Sequence, residues 1–576
     1  MTYLGPLRLH FHGQFQATVS TVNNSTTNFD NATFQPQFQE QGNQGSWNPG
    51  GDADWRLLGC EVTAATLADG SPAGADDPVL SCLVADSDRK VPGKLVDLDP
   101  EQQMCSMIFG LEVRVCDARG DTLVIGRFEP VAFTELWPRA RSSGSSGDPP
   151  LGAFYQSVIT DLEWSDAASS SAMLSALREA ATDGLLSMKF NVDGYDWTFG
   201  SETFGRGRIV GTIGVASADE PRHFVAGRHF LPGAAGSALN NCVAVVDEAL
   251  GKVLLDLGNA IPTRTPGGPL TDIGTLTLEH GGGTIGEIAY QQTEWYERTA
   301  GVVALPADRS LTAEELAAIA DAPLSITVDS TTTGTAGAIA EAPGGVYARA
   351  DQFVFRLDAG DIAPARVFAT RFGQPHAGAQ IRSRQDPSRL QAGPGDPPVA
   401  TPASAIDFPA DVVTGPDGVA ELPITASEPG NPRGFIDGQV YGVRPALTQT
   451  LGPGSSYPRT PWNFISLLVH DTFHADDPPT WFGSLQPVFE QYSNLYPVMD
   501  RFLDLSSYQS VCENRHLLLL AFGLAIDDPN SMPVTRDLST SARQAILRWL
   551  TDVGADGNPL QGAAPPREAK RPPPAA

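Results

Sequence analysis

The chain has 576 residues, of which 41% are hydrophobic and 18% charged, a composition that excludes a disordered protein and allows several domains. Its net charge of −29 argues against nucleic acid and anionic membranes as partners, because phosphate contacts require clustered Lys and Arg. The 58 glycines and 47 prolines favour many turns, and therefore a strand-rich fold.

Residues 1–330 are predicted to form a β-rich N-terminal domain. Apolar and polar residues alternate over 7–15, as in a half-buried strand, and similar runs follow along the segment. One inserted helix is predicted over about 169–182, with Gly184 as its stop. The polar segment 23–51 has too few apolar residues for a core of its own, so its order is left open.

The rest of the chain divides into three further segments. Short strands separated by Gly, Pro and Asp turns predict a small β-sandwich over 331–456, with a loop of undecided order at 385–406. Helical periodicity predicts an α-helical domain over 457–553. The tail, 554–576, is predicted to be disordered or linker-like. The predicted fold class is α+β: a β-rich, mostly antiparallel, sandwich-like multidomain protein with a C-terminal α-helical domain.

Two helices of the C-terminal segment can be predicted in detail. Ser539 stands where an N-cap is expected, and an apolar stripe at helical spacing follows it: Ala542, Ala545, Ile546, Trp549 and Leu550. We interpret Ala542, Ile546 and Trp549 of this stripe, with the segment after Gly554, as a docking end for a partner. Residues 511–524 are apolar nearly all round, which predicts a helix buried on most sides.

Four residues of the same region are candidate metal ligands. His470 and His474 are four apart, so in a helix both imidazoles would lie on one face, as a metal pair requires. Alternatively, His474 only interacts with the helix dipole. Glu513 and His516 form a Glu-x-x-His unit, the ligand unit of di-iron bundles, but the sequence contains no second such unit. The alternative is that none of the four binds a metal.

Residues 1–7 lack the basic and apolar regions of a signal peptide, and no run of eighteen apolar residues exists. The six cysteines form no Cys-x-x-Cys pair. Together these features predict a cytoplasmic protein with reduced thiols and no membrane span.

Several segments resemble, in the same order, the chromopyrrolic acid synthase family of bisindole biosynthesis, which includes iminophenylpyruvate dimer synthases. They are RLHFHG at 8–13 with 21–23, 177–191, 210–214 with Gly227 and Arg228, LDLGNAIP at 255–262, Trp295 and Tyr296 with 301–306, 495–499, Cys512 with Glu513, 528–530, MPVTRDLS at 532–539, and Ala542 with Arg543. The resemblance covers the region that precedes the ferritin-like domain of the family.

The resemblance implies oxidative coupling of two imines derived from an aryl-pyruvate, with haem in some members. Family members continue through a Pro-rich linker into a ferritin-like domain, and this sequence ends within the matching linker. We therefore expect a haem- or iron-dependent synthase subunit that acts on a small aromatic substrate with a separate ferritin-like protein, or as a homo-oligomer.

The likeness marks His10 as a candidate haem or substrate contact. The alternative is that His10 and His12, which point the same way from one strand, form a hydrogen-bonded pair on a sheet face. The alternative function is that of a non-catalytic β-rich scaffold or binding protein that has lost its catalytic domain.

Overall fold

A computed structural model of the chain describes residues 2–19, 48–97, 105–141, 148–198, 200–232, 237–329, 338–390, 398–433, 438–451 and 463–564. The predicted β-rich α+β fold is confirmed: four mostly antiparallel sheets lead into a group of C-terminal helices. Most of the predicted 23–51 loop, the middle of the 385–406 loop and the end of the 554–576 tail lie outside the described residues, as does the segment 21–23 of the family resemblance.

The first sheet has 12 strands. They are β1 (Arg8–Ala17), β2 (Asp54–Thr66), β3 (Leu83–Ala85), β4 (Gly93–Asp97), β5 (Ser106–Phe109), β6 (Glu112–Cys116), β7 (Thr122–Phe128), β8 (Val131–Ala132), β9 (Thr134–Pro138), β10 (Leu151–Trp164), β11 (Leu186–Asp193) and β12 (Arg206–Val215). Because β1 pairs with both β12 and β2, the strands β1-β12-β11-β10-β7-β6-β3-β2 close into what we call the strand ring.

Side chains alternate between the inside and the outside of the strand ring. Leu9 and Phe11 of β1 belong to the apolar core, where Trp55 and Phe190 stack with ring centroids 5.8 Å apart. The intervening His10 faces outwards beside its register partner Thr212. The outer face of β1, β11 and β12 is therefore polar although it is buried.

The second sheet covers that outer face. Its eight strands are β13 (Arg228–Pro232), β14 (Cys242–Asp247), β15 (Lys252–Asp256), β16 (Thr275–His280), β17 (Gly283–Ile288), β18 (Val302–Leu305), β19 (Leu324–Asp329) and β20 (Ile339–Glu341). They have their own apolar core. Hydrogen bonds from Lys189 of β11 to Asp256 and Ala300 join the sheet to the strand ring.

Two five-stranded sheets form the sandwich. The strands are β21 (Val346–Ala350), β22 (Val354–Leu357), β23 (Ile362–Arg371), β24 (Gln374–Pro375), β25 (Gln380–Gln385), β26 (Ile406–Asp407), β27 (Asp411–Val413), β28 (Val419–Ala426), β29 (Gln439–Leu447) and β30 (Ile465–Val469). One sheet has the order β21-β23-β28-β26 with β24 beside β23, and the other has the order β22-β30-β29-β25-β27.

The strands do not all follow the predicted boundaries. β30 lies in the segment predicted to be helical but pairs with β22 and β29. Conversely, β20 lies beyond residue 330 but pairs with β13 and β19 of the second sheet. Both segments form strands because they pair with strands that are distant in the sequence. Local periodicity does not reveal such pairing.

Seven α-helices occur in the described residues. They are α1 (Ala172–Ala180), α2 (Trp295–Thr299), α3 (Ala313–Ala320), α4 (Gln486–Leu495), α5 (Tyr508–Glu513), α6 (Arg515–Gly523) and α7 (Thr540–Thr551). Short 3-10 helices span Pro78–Ser81, Asp166–Ser170, Pro387–Arg389, Ala403–Ala405, Thr448–Thr450 and Pro497–Arg501, and a π-helical turn spans Trp481–Leu485. Within the described ranges, no helix combines the length and apolar character needed to cross a membrane.

The last helix is confirmed, but its predicted docking role is wrong. Ser539 Oγ accepts the backbone N–H of Ala542 at 3.2 Å, as expected of an N-cap. All five residues of the apolar stripe are buried, and Trp549 packs against Trp481 and Phe489 at centroid distances of 5.8 and 5.9 Å. The stripe fills the core of the chain itself and offers no surface to a partner.

The segment 511–524 also differs from its prediction. It breaks at Asn514 into α5 and α6. In α6 only Leu518 and Phe522 are buried, whereas Leu517 and Leu520 are 47% and 62% exposed. The prediction of a helix buried on most sides is wrong, because only one face of α6 packs on the core.

Candidate functional site

His10 lies on β1, enclosed between the strand ring and the second sheet. Its Nε2 accepts a hydrogen bond from Arg8 Nε at 3.3 Å, and its Nδ1 lies 3.0 Å from Thr212 Oγ1. Burial, together with the charges of Arg8 and Lys189, lowers the pKa of His10 well below its ordinary value. The imidazole is therefore neutral, with Nδ1–H donating to Thr212. An axial haem ligand needs a ring nitrogen free for iron, so the geometry of His10 does not fit that role.

His10 belongs to a buried polar layer that we call the charged joint: Tyr3, His10, Arg139, Lys189, Asp193, Arg208, Asp256 and Tyr296. Lys189 Nζ donates to Asp256 Oδ1 at 3.1 Å and to the carbonyl of Ala300 at 2.7 Å. Tyr3 donates its hydroxyl to the other oxygen of Asp256 at 2.8 Å. Burial lowers the pKa of Lys189, and the opposing charge of Asp256 limits the effect.

Asp193 is the second centre of the charged joint. Its carboxylate accepts hydrogen bonds from Arg139 Nη1 at 2.7 Å and from Arg208 Nε and Nη2 at 2.9 and 2.7 Å. Both guanidinium groups also lie over the ring of Tyr296, with Cζ 4.8 and 4.9 Å from its centroid. Because each charge has a partner, we interpret the joint as a fastening between the strand ring and the second sheet.

Four of the segments that carry the family resemblance meet in this joint. The segment 8–13 contains His10, 177–191 contains Lys189, 255–262 contains Asp256, and Tyr296 is part of another. The close approach explains the glycine of LDLGNAIP. A Cβ on Gly258 would lie 2.6–2.7 Å from atoms of Asn191, Lys189 and Ala300. The resembling residues therefore have a packing role in the described structure.

The predicted metal pair is not on a helix. His470 directly follows β30 and is 5% exposed, with Nδ1 3.4 Å from Asp358 Oδ1. Residues 471–480 are irregular, and His474 is exposed among them. The expectation of two imidazoles on one helical face is wrong, because the residues before His470 form β30 and the residues after it form no helix.

The Glu-x-x-His unit is divided by the break between α5 and α6. Both Glu513 and His516 are exposed, and Glu513 Oε1 accepts a hydrogen bond from Gln509 Nε2 at 2.9 Å. Among the described residues, no three His, Cys, Asp or Glu side chains are placed to hold a metal ion. The four predicted ligands therefore do not fit an iron site, and no chemical step is assigned to them below.

A cleft of about 330 Å³ opens where the β5 and β8 end of the first sheet, the sandwich and the segment after α6 meet. Its apolar walls come from all three parts: Met107, Phe109, Val131, Phe353, Phe355 and Ile526. Its polar lining includes Glu129, His223, Arg356 and Asp527. A cleft with apolar walls, several aromatic rings and a few polar groups is typical of small-molecule sites, whose volumes begin near about 300 Å³.

A hydrogen-bonded pair forms the polar wall of the cleft. His223 Nε2 lies 3.4 Å from Glu129 Oε1, and its Nδ1 lies 3.2 Å from Ser157 Oγ. Burial opposes ionisation of Glu129, but its contacts with His223 and Arg222 outweigh that effect and lower its pKa. The carboxylate is therefore ionised at neutral pH.

Ser157, His223 and Glu129 are the residue types of a nucleophilic triad, but their placement does not support that chemistry. Ser157 is 0% exposed on β10 and does not line the cleft. Its hydroxyl therefore orients the imidazole of His223 through Nδ1, the ring nitrogen that does not contact Glu129. What remains at the cleft is an imidazole–carboxylate pair that can take up and return one proton.

An exposed apolar face borders the cleft. Leu517 and Leu520 are three residues apart in α6 and point the same way. Ile526, which follows this helix, is 45% exposed and also lines the cleft. We call these three residues the leucine face, and unlike the stripe of α7 they are exposed.

No protein-family model matches the chain, and no curated protein matches it.

The sequence contains only a weak signal for the cleft. His223 stands in a polar loop after β12, and Glu129 directly follows β7, positions that are common for functional residues. Their partnership depends on strand pairing across the ring and could not be read from spacing. The arrangement can bind an aromatic molecule and exchange a proton with it.

Proposed function

We propose that the chain is the substrate-binding subunit of an oxidative synthase that couples imines derived from an aromatic amino acid. In this proposal, a separately encoded ferritin-like protein supplies the iron-based redox chemistry. The observation that carries the proposal is the aromatic cleft with the His223–Glu129 pair in its wall. The family resemblance described above supplies the reaction class.

The lining of the cleft matches the chemistry of an aryl-pyruvate imine. Phe109, Phe353 and Phe355 offer aromatic surfaces to an aryl ring. The guanidinium of Arg356, with Cζ 5.3 Å from the Phe109 centroid, supplies positive charge for a carboxylate. One compact cavity thus provides for both ends of such a substrate.

The reaction divides between the two proteins. Joining two imines by a new carbon–carbon bond removes two protons and two electrons. The His223–Glu129 pair would take up these protons one at a time and release them to water. The ferritin-like partner would supply the iron chemistry that passes the two electrons to dioxygen, which with two protons gives hydrogen peroxide. The leucine face is the proposed docking surface, because Ile526 belongs to both that face and the cleft.

A second candidate is a non-catalytic binding protein with the same architecture. It is favoured by the scatter of the predicted metal ligands, three of which are exposed at separate positions. We also propose a reducing, cytoplasmic location, since the six cysteines are free thiols.

Purification from the native host tests the first candidate. We expect a ferritin-like companion and bound iron, detected by mass spectrometry, metal analysis and absorption spectroscopy. A preparation with no iron, no Soret band and no such companion would refute the synthase proposal. Turnover of an aryl-pyruvate imine by the purified chain alone would refute both the binding-protein candidate and the need for a partner.

A further inference from the structure

A small polar cavity lies between the strand ring, the second sheet and β21. It has a volume of about 50 Å³ and shares no lining residue with the cleft. At roughly 10–15 Å³ for each water-sized occupant, this volume accommodates about four non-hydrogen atoms. Phe154, Gln156, Phe224 and Arg349 line the cavity.

Arg349 is the unusual residue of this cavity. It is 4% exposed, and its Cζ lies 5.5 Å from the centroid of Phe224 and 5.3 Å from that of Phe353. Its guanidinium is hydrogen-bonded to Tyr347, but Nε and Nη2 have no hydrogen-bond partner among the described residues, and no described carboxylate forms an ion pair with it. Burying a charge without a partner is costly.

Other buried arginines of the chain do have such partners. Arg139, Arg228 and Arg444 each have a carboxylate oxygen within 2.7 Å. Arg8 and Arg536 are also buried and donate instead to backbone carbonyls. These five buried guanidinium groups thus follow one rule, in that each has an acceptor within the chain. Two donors of Arg349, by contrast, have no acceptor within the described ranges, and Arg349 lines a cavity where a ligand can take the place of a protein carboxylate.

Gln156 adds a second unsatisfied group. It is 2% exposed on β10, and neither its amide oxygen nor its amide nitrogen has a partner in the described part of the chain. A buried amide of this kind requires a hydrogen-bonding occupant. The cavity thus offers a charged donor and a neutral donor to the same small volume.

The charges around the cavity limit the charge of its occupant. Burial lowers the pKa of His229 to about 3, so this imidazole is neutral. Glu135 places a carboxylate in the wall, where it accepts a hydrogen bond from Asn241. Asp256 also lines the cavity, but its charge is balanced by Lys189, and its two oxygens accept hydrogen bonds from Lys189 and Tyr3. The remaining wall charges are the guanidinium of Arg349 and the carboxylate of Glu135, which leave no excess positive charge for a doubly charged anion.

We propose that this cavity binds the carboxylate of a small monocarboxylic acid, with Arg349 as the charge partner and Gln156 as the amide donor. Phe154 and Phe224 cover the short carbon chain of the ligand. The proposal goes beyond the function proposed above and does not depend on it, because the cavity and the cleft have separate walls.

Calorimetric titration with acetate and propionate, and thermal unfolding in the same salts, test this site in the full chain. We expect saturable binding by the wild type and a melting temperature that rises with carboxylate concentration. Arg349→Met should weaken binding about tenfold or more, because it removes a hydrogen bond to a charged group. Without ligand, this variant should be at least as stable as the wild type, since it loses an unpaired buried charge.

Arg366→Met is the matched control, because Arg366 is exposed on the neighbouring strand β23 and should bind acetate like the wild type. Gln156→Leu should also weaken acetate binding. If Arg349→Met fails to fold, the comparison of Gln156→Leu with the wild type tests the proposal. Equal stabilisation by sodium chloride or phosphate at matched ionic strength would overturn the proposal. Acetate binding that survives in Gln156→Leu or Arg349→Met would overturn it as well.

Discussion

Asp193 offers the sharpest test of how the strand ring is fastened to the second sheet. Its side chain is 3% exposed and neutralises two guanidinium groups, one of which is 0% exposed. Asp193→Asn keeps the shape of the side chain but removes its charge, so Arg139 and Arg208 lose their common counter-ion. Removing one partner of a buried ion pair typically costs about 3–5 kcal/mol.

The structure favours the lower end of that range, about 3 kcal/mol. Arg139 keeps hydrogen bonds to the carbonyl of Ile261 and the hydroxyl of Tyr296, at 2.9 and 2.7 Å. Arg208 keeps the carbonyl of Gly268 at 2.7 Å. These acceptors limit the desolvation penalty of the two guanidinium groups when the carboxylate is removed.

Urea unfolding followed by tryptophan fluorescence measures the effect, with Asp219→Asn as the exposed control. A chain of this length unfolds in more than one step, so the midpoint of the first transition is compared. Adding Arg208→Met to Asp193→Asn should recover part of the loss, because it removes an unpaired guanidinium. If Asp193→Asn lies within about 1 kcal/mol of the wild type, the fastening role of the joint is refuted.

Three further outcomes are expected. Burial opposes ionisation of Asp386, but hydrogen bonds from Ser388 and Arg444 lower its pKa to about 2. The stabilisation from this group is present above its ordinary pKa of 3.8 and is lost as the pH falls towards 2, so Asp386→Asn should flatten the acid-unfolding profile in that window. Phe355→Ala should weaken phenylpyruvate binding about tenfold in calorimetry, since it removes an aromatic wall of the cleft. Phe502→Ala, at an exposed position, is the control and should bind phenylpyruvate like the wild type. If both variants bind phenylpyruvate equally well, the cleft is not its site. Leu520→Glu should change the free energy of unfolding by less than about 0.5 kcal/mol but abolish capture of the ferritin-like partner, and unchanged capture would exclude the leucine face.

The architecture was largely readable from the sequence because its signals are local. The alternation of β1 predicted a strand with Leu9 and Phe11 on one face, and both side chains are in the core. Ser539 and the stripe that follows it predicted α7, and every residue of that stripe is buried. In each case, short-range periodicity and a capping residue determine the element.

The predictions failed where distant segments determine the structure. The i, i+4 spacing of His470 and His474 satisfies a helical pattern, but β30 gains more from pairing with β22 and β29. Similarly, a run of leucines does not show how many faces of a helix the rest of the chain covers. The cleft was missed for the same reason, because Glu129 and His223 meet only when segments distant in the sequence pack together.

The segments that resemble the synthase family lie in two parts of the molecule. The segments 528–530 and 532–539 adjoin the cleft, where Arg536 Nε donates to the carbonyl of Ile526 and its Cζ lies 5.4 Å from the centroid of Phe109. Lys189, Asp256 and Tyr296 of the resembling segments lie in the charged joint, fully enclosed and satisfied by neighbours. Their constraint is packing, as the close approach of Gly258 illustrates. In the charged joint, the resemblance therefore bears on how two sheets are joined, a property that a catalyst and a binding protein can share. The choice between those functions depends on the cleft and on the leucine face beside it, where side chains are available to a substrate and a partner.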